Sequence, residues 1–278
     1  MSSSLHAMEA LHPPAPVVLD GLTRRFGDIT AVDCVSFTVA PCEAFGLIGA
    51  NGAGKSTIVK MLTTLLPPTA GSATVAGFDI VSQPSKVRQH IGYVPQLLSA
   101  DGALTAWENL LLSTRLYNIP PSEVRPRIER ALDAMELTPF AHRLVQGFSG
   151  GMIRRLEIAQ SMLHHPAVLF LDEPTVGLDP IARRTVLDHI GGLRRRFGTT
   201  ILVTSHYMEE IEELCERVAV LRNGRVVATE TPAALKAAIG PHATLDDAFA
   251  VFAGSAPAEG AGGYSAVRQE RRSVRTHG

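Results

Sequence analysis

The chemistry that this chain could perform is clearest in nine residues that form a phosphate-binding loop. Residues 49–57 fit the pattern G-x-x-x-x-G-K-S/T. An apolar run, 44–48, leads into the loop as a buried strand would, and apolar residues follow at helical spacing until Pro67 and Pro68, where we expect the helix to stop. A strand, a glycine loop and a helix together aim unpaired N–H groups and the positive end of a helix dipole at a polyphosphate. The loop therefore predicts binding of a nucleoside triphosphate.

Within this loop, individual side chains have individual roles. Lys55 can reach the β and γ phosphates, and the Ser56 hydroxyl can ligate Mg²⁺. The alternative is a glycine-rich turn that merely opens an ordinary helix. The candidate nucleotide-binding residues of the loop are Gly49, Asn51, Gly52, Ala53, Gly54, Lys55, Ser56 and Thr57.

Two carboxylates end a second apolar run. Residues 167–171 read as a fully buried parallel strand, and Asp172 and Glu173 follow directly. Such a strand delivers its last side chains to the edge of the sheet where α/β proteins bind ligands. We expect Asp172 to hold Mg²⁺ and Glu173 to act as general base on the water that attacks the γ-phosphate. The alternative is a plain Asp-Glu-Pro turn at the end of a strand.

A second Ser/Gly-rich helix start lies 23 residues before Asp172 (172 − 149). Ser149, Gly150 and Gly151 precede an apolar helical pattern over 152–163. This start could bind phosphate, but it has no lysine. It therefore fits a segment that completes a nucleotide site better than one that makes its own, although Ser-Gly-Gly could also simply cap a helix.

Three further polar residues follow predicted strands or begin helices. His206 comes after the apolar strand 201–204 and could contact the γ-phosphate or orient the water. Gln96 ends its own strand and has the amide needed to sense Mg²⁺ or water. Asp179 precedes Pro180. Taken singly, His206 could equally be a helix cap, Gln96 a turn residue and Asp179 an N-cap.

The elements around these residues predict an α/β fold. Short β-type runs separated by turn residues suggest an antiparallel sheet over 17–39, which 72–76 and 78–81 continue. Helical periodicity over about 105–165 reads as an insertion. From residue 167 onward, strands alternate with helices as in a parallel sheet. The chain ends, 1–16 and 254–278, are rich in small and polar residues, with a basic C-terminal stretch, and are expected to be disordered.

Composition narrows the possible partners. A net charge of −1 over 278 residues gives no reason to expect nucleic acid. Three cysteines without a C-x-x-C pair indicate neither a disulfide framework nor a zinc site. The apolar runs fall far short of the ~20 residues that a membrane span needs, and the first sixteen residues lack the pattern of a signal peptide.

In order and spacing these pieces resemble the ATP-binding-cassette (ABC) ATPases, over about 17–253. The resemblance implies a P-loop NTPase (RecA-like) core, an N-terminal antiparallel β subdomain and an α-helical subdomain at about 97–165. It further implies ATP and Mg²⁺ as cofactors and a head-to-tail homodimer, in which Ser149 and Gly151 close over ATP held by the other copy. The motifs are similar to Walker A (49–56), the Q-loop (Gln96), the signature (148–152), Walker B (168–173), the D-loop (177–179) and the switch histidine (His206).

Three positions differ from the usual family pattern. Phe148 replaces the leucine of the signature and Met152 its glutamine, so an amide contact at position 152 is lost while Ser-Gly-Gly is kept. The ring that stacks on adenine, often a tyrosine, would here be Phe26. It keeps the ring face and drops the hydroxyl, which stacking does not need.

Other features look like the exporter ATPases of daunorubicin resistance and nodulation-factor secretion. The 149–152 signature, a helix starting at 108–110 and the segment 244–249 carry this resemblance. It implies an exporter subunit at the cytoplasmic face of the membrane, bound to integral permease subunits. Four apolar residues after Gln96 could receive the permease or could pack inside the insertion: Leu97, Leu98, Leu104 and Trp107.

Three competing interpretations stay open. A soluble cassette ATPase of translation or DNA repair usually has two cassettes, a coiled coil or a basic surface. A nucleotide kinase would leave residues 148–151 and His206 without a role. Import instead of export is the third. The sequence does not name the cargo.

Overall fold

The structure, a computed structural model, describes residues 16–254. Its strands are β1 Val17–Phe26, β2 Ile29–Val39, β3 Ala44–Gly49, β4 Ala70–Val75, β5 Phe78–Asp79, β6 Ile91–Val94, β7 Val168–Asp172, β8 Thr200–Ser205, β9 Arg217–Arg222 and β10 Arg225–Glu230. Its helices are α1 Lys55–Leu62, α2 Pro84–His90, α3 Ala106–Leu116, α4 Pro121–Ala134, α5 Gly150–Met162, α6 Pro180–Phe197, α7 Met208–Leu214, α8 Pro232–Ile239 and α9 Leu245–Phe252.

Two sheets make up the β structure. The first is antiparallel, in the order β2-β1-β4-β5. The second has the order β10-β9-β3-β8-β7-β6, and its strands run parallel except for β10, which pairs antiparallel with β9. An α/β fold with an N-terminal antiparallel sheet is therefore confirmed, and a hairpin turn at Asn223 and Gly224 joins β9 to β10.

The parallel sheet separates two hydrophobic cores. Along β7, Val168 and Phe170 point into the core shared with α1 and the antiparallel sheet. Leu169 and Leu171 point into the core formed with α3 to α9. All four are fully buried, as expected for a parallel strand covered on both faces. The strand is thereby fixed from both sides just before it reaches Asp172.

The segment between β6 and β7 is largely helical. Thr105 caps α3 by accepting a hydrogen bond from the Glu108 N–H, and the Glu108 carboxylate accepts from the Thr105 N–H in return, a capping box. Helix α4 begins at Pro121, and its Ile128 and Leu132 are buried beside α5. Short 3₁₀ turns at Thr138–Phe140 and Val145–Gly147 lead to α5.

Two predicted elements are shorter than expected. Helix α1 ends at Leu62 and does not run to the prolines, because Thr64 adopts a left-handed φ of 61° and the Leu65 N–H turns back to the Lys60 carbonyl. Strand β5 ends at Asp79 because the Asp79 carboxylate accepts hydrogen bonds from the N–H groups of Val81 and Ser82, which closes a turn.

Over residues 16–254, none of the helices is both long enough and apolar enough to cross a bilayer. The expected disorder at the two chain ends concerns residues that lie almost entirely outside this described range.

Candidate active site

The phosphate-binding loop opens α1 with free backbone donors. Gly54, with φ 109°, precedes the helix, and a glycine has no side chain with which to cap it. A Cβ at Gly54 would also lie 2.6 Å from the Ala31 carbonyl oxygen, so a larger residue does not fit there. The first turn of α1 carries no acidic residue. Its N–H groups and the helix dipole therefore remain available to an anion.

The Lys55 ammonium group is buried at the centre of the loop. Its Nζ donates to the carbonyl oxygens of Gly49 at 2.8 Å and Ala50 at 3.3 Å. Burial lowers the pKa of Lys55, and the nearby carboxylates of Glu173 and Asp172 counteract part of that shift. The positive charge thus lies on the floor of the loop, where it can meet phosphate oxygens.

Asp172 lies between two hydroxyl groups. Ser56 Oγ donates to its Oδ1 at 3.3 Å, and Thr204 Oγ1 donates to the same oxygen at 2.6 Å. Among the described residues, no cluster of three His, Cys, Asp or Glu side chains could hold a metal by itself. A hydroxyl beside one carboxylate is nevertheless a donor set that suits Mg²⁺ when phosphate oxygens and water complete its shell.

Glu173 is held in an unusual backbone conformation. Its φ is 49°, a left-handed value that costs a non-glycine residue on the order of 1–3 kcal/mol. Its N–H group donates to both the carbonyl oxygen (3.1 Å) and the hydroxyl (3.0 Å) of Thr204. These bonds to the neighbouring strand keep the carboxylate at the end of β7.

Three polar side chains surround the Glu173 carboxylate. Gln96 Nε2 donates to Oε2 at 3.1 Å, and His206 Nδ1 lies 3.5 Å from the same oxygen. Lys55 Nζ is 3.8 Å from Oε1. The carboxylate is therefore pre-oriented by an amide, an imidazole and an ammonium group, and this is a suitable arrangement for a general base.

Most of the candidate residues meet in one pocket of about 450 Å³. Asp172 lies beneath it, bonded to Ser56. Sequence reasoning missed Ala31 and Val176, which line the pocket as small apolar surfaces without a distinguishing pattern. The expected residues that line it are Asn51, Gly52, Gly54, Lys55, Ser56, Thr57, Gln96, Glu173 and His206.

Gly49 and Ala53 belong to the phosphate-binding loop without lining the pocket, whereas the candidates of the second helix start lie elsewhere on the chain. Ser149 caps α5 by accepting from the Met152 N–H, and Asp179 caps α6 by accepting from the N–H groups of Ile181 and Ala182. A Cβ at Gly151 would lie 2.8 Å from the Ala182 Cβ, so the signature segment packs directly beside the segment around Asp179. Within one chain, this pair of helix starts does not line the pocket.

Phe26 lies at the tip of the β1–β2 hairpin, paired with Ile29. Its side chain is 45% exposed, and the Arg24 guanidinium lies 4.7 Å from the ring centroid. The ring is thus accessible for stacking, although it is not among the described residues that line the pocket.

A buried carboxylate on α7, Glu210, was not identified from the sequence. It accepts hydrogen bonds from Thr175 Oγ1 at 2.6 Å and Ser205 Oγ at 2.8 Å, and Arg183 Nε approaches it to 3.4 Å. Glu210 thereby links the segment after Glu173 to the segment before His206. Nothing in the sequence separates it from the three other glutamates of α7 (209, 212 and 213), so no signal could have found it.

Comparison with known proteins indicates the family of this chain. The family model described as "ABC transporter" matches residues 32–176. The daunorubicin/doxorubicin resistance ATP-binding protein DrrA of Streptomyces peucetius is 41% identical over 228 residues, which cover 82% of this chain and 69% of that protein. The Nod factor export ATP-binding protein I of Burkholderia lata is 41% identical over 223 residues, 80% of this chain and 73% of that protein.

Two further similarities differ in extent. YbhF of Escherichia coli K12, described as a probable multidrug ABC transporter ATP-binding protein, is 38% identical over 253 residues; the match covers 90% of this chain but only 43% of YbhF. A solved dimeric ATP-binding cassette in a post-hydrolysis state with ADP and Pi has a TM-score of 0.68 and 27% identity, over 77% of this chain and 98% of that one. On this combination of sequence match and fold, the chain belongs to the ABC transporter family as one of its ATPase domains.

Proposed function

We propose that this chain is the ATP-hydrolysing subunit of an exporter, with residues 17–253 forming the nucleotide-binding domain and about 97–165 its helical subdomain. The single observation that supports it most is the pocket in which Lys55, Ser56, Gln96, Glu173 and His206 meet. This set provides a phosphate-binding cation, a hydroxyl, and a carboxylate oriented by an amide and an imidazole.

Each side chain has a distinct role in this proposal. The N–H groups at the start of α1 and the Lys55 ammonium bind the β and γ phosphates. The Glu173 carboxylate accepts a proton from the attacking water while the bond between the γ-phosphorus and the β–γ bridging oxygen breaks, which yields ADP and phosphate. Gln96 and His206 fix the direction of that carboxylate and contact the water or the γ-phosphate.

Ser56 and Asp172 are the proposed residues for Mg²⁺. Bound there, the ion would neutralise charge on the β and γ phosphate oxygens. The support for this assignment is the 3.3 Å contact between Ser56 Oγ and Asp172 Oδ1, since the two oxygens already lie close enough to share one cation.

The homodimer is proposed because the second anion-binding helix start lies outside the pocket of its own chain. Ser149 and Gly151 are placed beside Asp179 and Ala182. A second copy, arranged head to tail, could present this segment to the phosphates bound by Lys55. The solved cassette described above is itself a dimer with ADP and Pi.

The test is the substitution Glu173→Gln. The amide keeps the contacts to Gln96 and His206 but cannot accept the proton, so we expect ATP binding to persist while steady-state phosphate release falls at least about a hundredfold. With Mg²⁺ and ATP, the variant should accumulate as a closed dimer, measured by light scattering after size exclusion.

Glu209→Gln is the matched control, because Glu209 is exposed and lies outside the pocket. It should hydrolyse ATP like the unsubstituted chain and stay in the same monomer–dimer equilibrium. Undiminished phosphate release from Glu173→Gln would refute the base, and a strictly monomeric variant, even beside its membrane partner, would refute the dimer.

The proposed surface for the permease lies next to Gln96. Leu97 is 81% exposed and Leu98 48% exposed, whereas Leu104 and Trp107 are half-buried and Trp107 packs against the core. The alternative of internal packing thus suits Trp107. A groove of about 420 Å³ runs beside the segment that contains Leu97 and Leu98. Its lining includes Leu65 and Leu116, both exposed apolar side chains. An exposed apolar patch of this kind is typical of a docking surface.

Docking to a permease would hold the subunit at the cytoplasmic face of the membrane. Export is preferred over import because DrrA and the Nod factor protein are named for resistance and export. Co-purification of this chain with its co-expressed permease separates a transporter subunit from a soluble cassette ATPase of translation or DNA repair.

A further inference from the structure

Two opposite charges are buried one helical turn apart on α5. The side chains of Arg154 and Glu157 are 1% and 3% exposed, and Arg154 Nη1 donates to Glu157 Oε2 at 3.0 Å. Burial lowers the pKa of Arg154, with Glu157 and then Asp172 opposing that shift. Burying such a pair costs several kcal/mol per ion, and apolar residues of the same volume often stabilise a fold at least as well. Stability alone is therefore a weak reason for the pair.

Arg154 holds both peptide groups that flank the Cα of Gln96. Its Nη1 donates to the Pro95 carbonyl at 2.6 Å, and its Nη2 donates to the Gln96 carbonyl at 2.7 Å. The guanidinium is planar and rigid, so these two bonds fix the backbone orientation at Gln96. That orientation directs the Gln96 amide to Glu173 Oε2, 3.1 Å away.

Glu157 holds the other end of the same loop. Its Oε1 accepts from the Ser99 N–H, from Ser99 Oγ at 3.1 Å and from the Ala100 N–H at 3.3 Å. Between the two anchored ends lie Leu97 and Leu98, which are exposed. The 95–100 loop is thus fastened to α5 at both ends, with its apolar middle facing outward.

We infer that Arg154 and Glu157 form a positioning pair, which makes the 95–100 loop move as one body with α5. Helix α5 starts at the Ser149-Gly150-Gly151 segment, so the pair links the position of that segment to the placement of the Gln96 amide on Glu173. The inference rests on the proposed roles of Gln96 and Glu173.

A double-mutant cycle tests this inference in the full chain. Arg154→Met keeps an unbranched but shorter side chain and removes all three donated bonds. We expect kcat for ATP hydrolysis to fall about ten- to a hundredfold, with KM for Mg-ATP within about threefold, because a misplaced group slows the chemical step more than binding. In the Gln96→Ala background the same substitution should change kcat less than about twofold, since the residue it positions is gone.

Arg127→Met is the matched control. Arg127 is also a largely buried arginine that donates to a backbone carbonyl, that of Leu163, but it does not touch the 95–100 loop. Its effect on kcat should be the same in both backgrounds. If Arg154→Met does not fold, Glu157→Gln takes its place in the cycle, because it retains shape and loses only the charge of the second anchor.

The possible results distinguish a failure of the inference from a failure of the proposed function on which it rests. A fall in kcat that is equally large with and without Gln96 assigns the pair a purely structural role and overturns the inference alone. Unchanged kcat in Arg154→Met does the same. Unchanged kcat in Gln96→Ala refutes the proposed role of Gln96, and the inference falls with it.

Discussion

The hydroxyl of Thr204 offers a sharp test of the site because it joins the two carboxylate residues. Thr204 is fully buried; its Oγ1 donates to Asp172 Oδ1 at 2.6 Å and accepts from the Glu173 N–H at 3.0 Å. Thr204→Val keeps the shape of the side chain and removes only the hydroxyl. The Glu173 N–H retains the Thr204 carbonyl at 3.1 Å, so Asp172 bears the main loss.

The size of the effect follows from the charge on Asp172. A hydrogen bond to a charged group contributes about 1.5–3 kcal/mol, so we expect the free energy of unfolding to fall by about 2 kcal/mol. The remaining contact of Asp172 Oδ1, from Ser56 Oγ at 3.3 Å, is too long to compensate fully. A cation bound at Asp172 would give the carboxylate a new partner in place of the Thr204 hydroxyl. The loss in free energy of unfolding should therefore shrink to less than about 1 kcal/mol with Mg²⁺ and a non-hydrolysable ATP analogue.

Urea unfolding at 25 °C, with and without the magnesium nucleotide, measures both values. The matched control is Thr200→Val on the same strand, since Thr200 Oγ1 accepts from the Cys42 N–H at 2.9 Å, far from the pocket. Its loss should be about 1 kcal/mol and should not respond to magnesium.

Two results would refute this reasoning. If Thr204→Val is as stable as the unsubstituted chain, the hydroxyl does not compensate a buried carboxylate. If its deficit is the same with magnesium nucleotide as without, Asp172 does not face the metal, and the assignment of Asp172 and Ser56 to Mg²⁺ is wrong.

Two other predictions follow from buried groups. Glu210→Gln should lower the free energy of unfolding by about 2–3 kcal/mol and reduce kcat, because the carboxylate accepts two hydroxyl donors. Urea unfolding and phosphate release measure the two effects. The control Glu209→Gln, at an exposed position, should change neither quantity. Burial lowers the pKa of His164 from 6.5 to about 4. Between pH 6.5 and about pH 4 the unfolded chain therefore binds a proton that the folded chain does not. The free energy of unfolding falls as the pH falls through that range, by about 1–2 kcal/mol after solvent screening. The free energy of unfolding of His164→Gln, followed over pH 7 to 4.5, should depend less on pH than that of the unsubstituted chain, and equal slopes would contradict the assignment.

Much of the fold could be predicted because apolar runs mark buried strands. The stretch 167–171 has five successive apolar residues, and in the structure β7 lies between two cores. The end of α1 could not be predicted in the same way. Leu65 continues the helical spacing, but the left-handed turn at Thr64 depends on local backbone hydrogen bonds that periodicity does not report.

The residues that line the pocket have a clearer signal in the sequence than the groups that support them. Lys55, Glu173 and Gln96 belong to recognisable motifs, and in the structure Lys55 and Gln96 both lie against the Glu173 carboxylate. Arg154 and Glu157 appear in the sequence as ordinary polar positions between the apolar ones of a helix. Their burial depends on the 95–100 loop folding over them, a long-range contact that no local pattern contains.

Within the described sheet, β6 occupies an outer position and has β7 as its one neighbour, while β7 is flanked on both sides. Gln96 and Glu173, the proposed partners in catalysis, therefore follow strands that are held to different degrees. Displacing the outer strand breaks one backbone ladder of four residue pairs, whereas displacing its inner neighbour breaks two ladders. Glu173, the proposed base, thus follows the strand that is held on both sides, and Gln96 follows the strand that can shift at a lower cost in backbone hydrogen bonds.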